Sequence, residues 1–221
     1  MEIIVALDCD IDRAKFVVEK IGNEVDIFKV GPVIFLKYGK DIIDFLNKKN
    51  KKIFLDLKFF DIPNTVKKTI ENLSKLNIYS LSLHISGGPS MLNVAKEVAG
   101  DIKLWGVTIL TSIDKLEYAK LGYRYSLEHQ VLHYARIAKD CLLDAIVSSP
   151  RELPYLKKRI SGLKFVTPSI RLEETNDDQK RFVTPYDAKK LGSDYIVVGR
   201  PIIESKDPLS VVKKIKEMVY E

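Results

Sequence analysis

Apolar residues along this chain follow two alternating patterns. Short β-branched and aromatic runs recur near Ile3–Leu7, Val25–Val30, Ile53–Leu57, Tyr79–Leu83, Lys103–Ile109, Ala145–Ser148, Lys164–Thr167 and Tyr195–Val198. Each has the length of a buried strand. Between them the apolar positions are spaced by three and four, as in Val66, Ile70, Leu73 and Leu76, or Leu209, Val212, Ile215 and Val219. That spacing keeps one helix face turned to a core.

Proline marks where the helices begin. Pro32, Pro63, Pro89, Pro150, Pro185 and Pro208 each sit just inside an expected helix start, where a missing N–H costs no hydrogen bond. Ser149-Pro-Arg-Glu152 and Thr184-Pro-Tyr-Asp187 read as capping boxes, the second with a shorter acid. Asp207 caps the last helix ahead of Pro208. Eight strand–helix repeats without hairpin signals require crossover connections and therefore a parallel sheet. The expectation is one α/β domain over residues 1–221, a single-domain (β/α)8 TIM barrel. A doubly wound open sheet is the alternative, but no Gly-x-Gly-x-x-Gly follows the first strand.

Composition narrows the class further. The 221 residues are 46% hydrophobic and 30% charged, which excludes wholesale disorder. No apolar run reaches bilayer length, and residues 1–8 are strand-like rather than a signal peptide. Two cysteines, Cys9 and Cys141, cannot form a disulfide scaffold or a cysteine zinc site. A cytoplasmic protein is expected. The net charge of +6 raises the question of nucleic acid. Its lysines are interspersed with acids, as in Lys15–Glu19–Lys20 and Lys213–Glu217, and the dense run Asn47–Lys52 suits a helix C-terminus. No aromatic residues interleave with that run to stack bases. Neither nucleic acid nor membrane is expected as a partner; an anionic small molecule fits the charge as well.

Chemistry-bearing residues collect at the C-terminal ends of the strands, where such barrels place their active sites. They are Asp8, Lys29, Asp56, Lys58, His84, Thr111, Arg171 and the pair Gly199-Arg200. Any one of these could be a solvating residue at a strand end; together they read as a site. Asp56 and Lys58 share a strand face with Phe54, while Leu55 and Leu57 should meet the helices. A carboxylate beside an ammonium keeps both ionised despite burial. Lys29 would extend the pair into an alternating array, which is a poor way to gain stability alone. Gly199-Arg200 follows strand 8, where barrels bind phosphate through backbone N–H groups. The polar stretch from Ser169 to Arg181 has lid character, with Arg171 and Gln179 as its working members. Cys9 and Trp105 read as packing residues, and His129 with His133 as a surface helix face without a third metal ligand.

With these residues assembled, the chain resembles the orotidine 5′-monophosphate (OMP) decarboxylases over essentially its whole length. The motifs are Ala6-Leu7-Asp8, Lys29-Val30-Gly31, the run from Asp56 to Thr65, His84 with Gly87-Gly88, and Leu110-Thr111-Ser112. Thr167–Arg171, Asp178-Gln179 and Val198–Pro201 complete them. Asp-x-Lys-x-x-Asp alone is shared with related sugar-phosphate decarboxylases and synthases. Its continuation into Ile-Pro-Asn-Thr, with the later Arg and Gln, is more specific.

The resemblance implies a homodimer that converts OMP to UMP without metal or organic cofactor. Lys29, Asp56, Lys58 and Asp61 would form the catalytic array, Asp61 crossing from the partner subunit. Asp8 and Lys29 would hold ribose hydroxyls with Thr65 from across the dimer. Thr111, with Ser112, would contact the pyrimidine. Arg171, Gly199 and Arg200 would bind phosphate, and Gln179 would bridge toward it. Two departures stand out: Ser169 replaces the family's usual glycine before Ile-Arg, and Ile85-Ser86 follows His84 where smaller residues are common. The competing readings are a metal-dependent sugar-phosphate enzyme holding Mg²⁺ between Asp56 and Asp61, and a phosphate-binding scaffold without activity.

Overall fold

All eight expected strands form, and they close on themselves. The computed structural model describes residues 1–172 and 182–220. Its strands are β1 (Glu2–Ala6), β2 (Ile27–Val30), β3 (Lys52–Phe59), β4 (Ser80–His84), β5 (Lys103–Val107), β6 (Ala145–Val147), β7 (Lys164–Thr167) and β8 (Tyr195–Val198). Each pairs in parallel with the next, and β8 returns to β1 to close the barrel. The helices are α1 (Ile11–Ile21), α2 (Pro32–Lys48), α3 (Pro63–Leu73), α4 (Gly88–Val98), α5 (Lys115–Lys120), α6 (Leu127–Asp140), α7 (Leu153–Lys157), α8 (Pro185–Leu191), α9 (Arg200–Ile203) and α10 (Pro208–Tyr220). The chain thus adopts the TIM-barrel fold that its patterning predicted. Among the described residues no helix is long and apolar enough to cross a membrane.

The expected punctuation holds, with two refinements. Pro150 opens a 3-10 turn (Pro150–Glu152) that runs into α7, and Glu152 Oε2 accepts from the Ser149 N–H at 3.1 Å. At α8 the Thr184 hydroxyl accepts from Asp187 N as expected, while the shorter Asp187 carboxylate takes the Thr184 hydroxyl itself at 2.7 Å. His129 and His133 are both exposed on α6, as expected of a solvated face.

Strand alternation divides the core in two. Outward residues such as Val5, Phe28, Val30, Leu55 and Leu81 pack under the helices. Inward residues Ile4, Ile27, Phe54, Trp105, Ala145, Val166 and Tyr195 fill the barrel. Trp105 lies at its centre, 4.4 Å from the Phe54 ring and 5.2 Å from that of Tyr195, so it is the packing residue expected. One step further along the same inward face the chemistry changes: Ile27 is followed by Lys29, and Phe54 by Asp56. The aromatic plug therefore forms a floor beneath polar groups at the C-terminal rim.

One local expectation needs correction. Regular alternation was to put Lys58 on the face of Asp56, but the β3–β4 register breaks between Leu55/Leu81 and Phe59/Leu83. Lys58 there takes a left-handed φ of 50°. The ammonium still reaches Asp56, but through a bulge rather than a regular strand.

Candidate active site

A cavity of about 550 Å³ opens at the C-terminal rim, lined among others by Asp8, Lys29, Asp56, Lys58, Thr111, Arg171, Gly199 and Arg200. Four of these form a continuous chain of alternating charge. Lys29 Nζ donates to both Asp8 oxygens at 3.0 Å and lies 3.6 Å from Asp56 Oδ2. Lys58 Nζ donates to the same Asp56 oxygen at 2.9 Å. The remaining oxygen, Asp56 Oδ1, accepts from the Ser82 hydroxyl at 2.7 Å.

Electrostatics keeps the central carboxylate of this array charged. Burial pushes the Asp56 carboxyl up, but Lys29 and Lys58, with the hydrogen bonds from Lys58 and Ser82, hold it below the ordinary carboxylate value. His84, next along the rim, is driven down first by burial and then by the Lys58 charge, so it is neutral near pH 7. Cys9 packs against the outer core, and burial raises its thiol to about 11, which makes it an unreactive packing residue as expected.

Backbone strain gathers here as well. Five non-glycine residues among those described have positive φ, and two of them, Lys58 and Ser169, line the cavity. Such strain costs about 1–3 kcal/mol and persists only where neighbours enforce it. Ser169 has φ 62°, the conformation that a glycine at this position would adopt freely. Its hydroxyl donates to Thr111 Oγ1 at 2.8 Å and so joins the β5 and β7 loops. Alanine keeps the strain and loses the bond, whereas glycine loses both. Urea unfolding should therefore find Ser169→Ala about 1 kcal/mol below wild type, and Ser169→Gly about 1 kcal/mol above Ser169→Ala. A Ser169→Ala variant as stable as wild type would show that the hydroxyl contact contributes nothing.

Gly31 is constrained by space rather than by φ. A Cβ there would stand 2.8 Å from Asp8 Oδ1 and 2.9 Å from Lys29 Nζ. Gly31→Ala should force that pair apart and destabilise the fold by about 1 kcal/mol or more in urea unfolding. Unchanged stability would mean that the Asp8–Lys29 pair gives way to the Cβ at no cost.

Beyond the end of β7, Arg171 is buried and its Nη1 donates to Ile170 O at 2.9 Å. A bridge between Ile170 and Val183 holds it in place, with Arg171 N donating to Val183 O. Arg200 opens α9 directly after Gly199. Gln179 and most of the expected lid lie outside the described residues.

Asp61 and Thr65 do not reach the cavity of their own chain. Both are exposed and line a separate depression of about 260 Å³, which they share with Lys58 and Phe60. Ser82 is the residue that motif reading missed. Its signal was the alternation Ser80-Leu81-Ser82-Leu83-His84, which puts polar groups on the inward face of β4 below the rim.

Fold and rim together define a class: a (β/α)8 barrel with a cavity at its C-terminal rim walled by a carboxylate–ammonium array. The family model described as "Orotidine 5′-phosphate decarboxylase / HUMPS family" matches residues 1–215, and the chain belongs to that family. It is 43% identical over 220 residues to the orotidine 5′-phosphate decarboxylase of Wigglesworthia glossinidia brevipalpis, covering 96% of this chain and 95% of that protein. The crystal structure of the Lactobacillus acidophilus orotidine 5′-phosphate decarboxylase superposes with a TM-score of 0.87 at 36% identity, over 100% of this chain and 99% of that one. The Methanocaldococcus jannaschii decarboxylase, solved with the inhibitor BMP, superposes with a TM-score of 0.82 at 28% identity, over 100% and 99% of the two chains.

Proposed function

We propose that this chain is an orotidine 5′-monophosphate decarboxylase, converting OMP to UMP and CO₂ in pyrimidine synthesis. The observation that carries the reading is the unbroken Asp8–Lys29–Asp56–Lys58 array on the cavity wall. The relatives that bear the same name support it.

The chemistry follows from that array. When the bond from pyrimidine C6 to its carboxylate breaks, the electron pair stays on C6, where resonance offers little relief. The Lys58 ammonium stabilises that charge and then gives a proton to C6, and water later reprotonates the amine. Asp56 holds the ammonium in place, so little reorganisation is needed as charge develops. Its own negative charge also faces the departing carboxylate. Asp8 and Lys29 take the ribose hydroxyls, Thr111 with Ser112 the pyrimidine, and Arg171, Gly199 and Arg200 the phosphate. Gln179 belongs to the phosphate side by resemblance.

A homodimer completes the site in this reading. Asp61 and Thr65 lie beside Phe60 and Ile62, which are 62% and 66% exposed and suited to cover by a second copy. Asp61 then enters the partner's array, and Thr65 its ribose site. A divalent metal is a poor fit at Asp56, because two ammonium groups within 3.6 Å oppose it. The free cysteines Cys9 and Cys141 accord with a cytoplasmic setting.

The test is the loss of OMP absorbance with purified protein, with and without EDTA. Chelator-insensitive conversion to UMP is the expected result. Sugar-phosphate turnover that EDTA abolishes would support the metal-dependent reading instead. UMP binding without any turnover would point to a scaffold.

A further inference from the structure

β3 carries more residues than its neighbour can pair. Leu55 stands opposite Leu81 and Phe59 opposite Leu83, so Asp56, Leu57 and Lys58 share the space facing Ser82 alone. In that gap the Lys58 N–H has no regular ladder acceptor, and the Ser82 hydroxyl supplies one. Lys58 N donates to Ser82 Oγ at 2.9 Å. The same Oγ donates its single hydrogen bond to Asp56 Oδ1 at 2.7 Å.

We propose that Ser82 is a positioning residue for the decarboxylation. Its hydroxyl joins the Lys58 backbone to the Asp56 carboxylate, and so fixes both the left-handed turn and the oxygen that faces the ammonium. The proposal rests on the function assigned above.

Three observations converge on it. First, Ser82 is fully buried, so water cannot substitute for its hydroxyl. Second, its proton is committed in one direction. An ionised carboxylate only accepts, so Oγ must donate to Asp56 and accept from Lys58. Third, with Oδ1 held by Ser82, the other oxygen is left to face Lys58 at 2.9 Å and Lys29 at 3.6 Å. One hydroxyl therefore sets the carboxylate orientation and the backbone turn that carries the ammonium. Ser82 lies behind these two groups and is absent from the cavity lining, so it acts only through them.

The experiment compares Ser82→Ala with Ser80→Ala. Ser80 is equally buried on the same face of β4, and its hydroxyl has no hydrogen-bond partner among the described residues. Two readouts are taken: OMP kinetics, and NMR titration of the ¹³C-labelled Asp56 carboxyl. Ser82→Ala should lower kcat about tenfold with KM within about twofold, since the defect lies in the reacting pair and not in binding. Losing a hydrogen bond to the charged form should also move the Asp56 titration upward. Ser80→Ala should change neither. An Asp56 titration that Ser82→Ala leaves in place overturns the proposal, whether or not the protein decarboxylates OMP. An equal loss of kcat in Ser80→Ala also overturns it, by reducing Ser82 to packing. Failure of the wild-type protein to convert OMP counts against the function instead, and the titration still decides the role of Ser82.

Discussion

Lys58→Ala should lose turnover by about 10⁴-fold or more while binding UMP within about tenfold of wild type. Two contributions vanish together in this variant. A preorganised charge facing the developing carbanion is worth about 10²–10³-fold. A general acid placed to deliver the proton adds about 10²–10⁴-fold. Binding should survive, because in the proposed site the phosphate is held by Arg171 and Arg200, at the ends of β7 and β8, and these remain when Lys58 is truncated. The fold should survive too, since Asp56 keeps Ser82 at 2.7 Å and Lys29 at 3.6 Å once the Lys58 ammonium is gone. Single-turnover kinetics and calorimetry with UMP read the two effects separately. A variant within tenfold of wild-type kcat would remove Lys58 from the role of acid. Loss of UMP binding would instead make it a structural support of the cavity.

Mixing two inactive variants should restore activity. In the proposed homodimer each site takes Lys58 from one chain and Asp61 from the other. Lys58→Ala and Asp61→Ala dimers should each be nearly inactive. In a mixed dimer both lesions fall in one site, and the second site is wild type. Random reassortment of equal amounts makes half the dimers mixed, each with one intact site of two, so activity should return to about a quarter of wild type. Asp61 is exposed in its own chain, where its carboxylate accepts from Ile62 N at 2.7 Å, so its removal should leave each chain folded. A mixture no more active than its parents would place Asp61 in its own chain's chemistry, and the shared site would fall.

What can be read from one dimension and what cannot divide clearly in this protein. Local patterning carried the fold: short β-branched and aromatic runs ending near rim residues, period-three-and-four spacing between them, and prolines at N1 or N2 of α2, α3, α4, α8 and of the turn before α7. It also carried the identities of Asp8, Lys29, Asp56 and Lys58, because each lies in the later half of a strand or just after one, and barrel geometry turns strand order into a ring. These signals depend on neighbours within a few residues, so the sequence holds them complete.

The tertiary structure decided what depends on residues far apart in the chain. The bulge that delivers Lys58 arises because β3 and β4 differ in length between shared pairs, a relation between strands that no single run displays. Ser82 became part of the site only when that bulge left it facing three residues. Ser169 stood out in sequence as a departure, but its left-handed backbone and its bond to Thr111, 58 positions away, required the closed barrel. The separation of Asp61 and Thr65 from their own cavity was expected only through the family resemblance, because motif spacing by itself records order and not direction. Sequence by itself determined which groups are present and on which strand ends. Packing across the barrel determined how they are aimed, because orientation is set by hydrogen bonds and register between segments that only folding brings together.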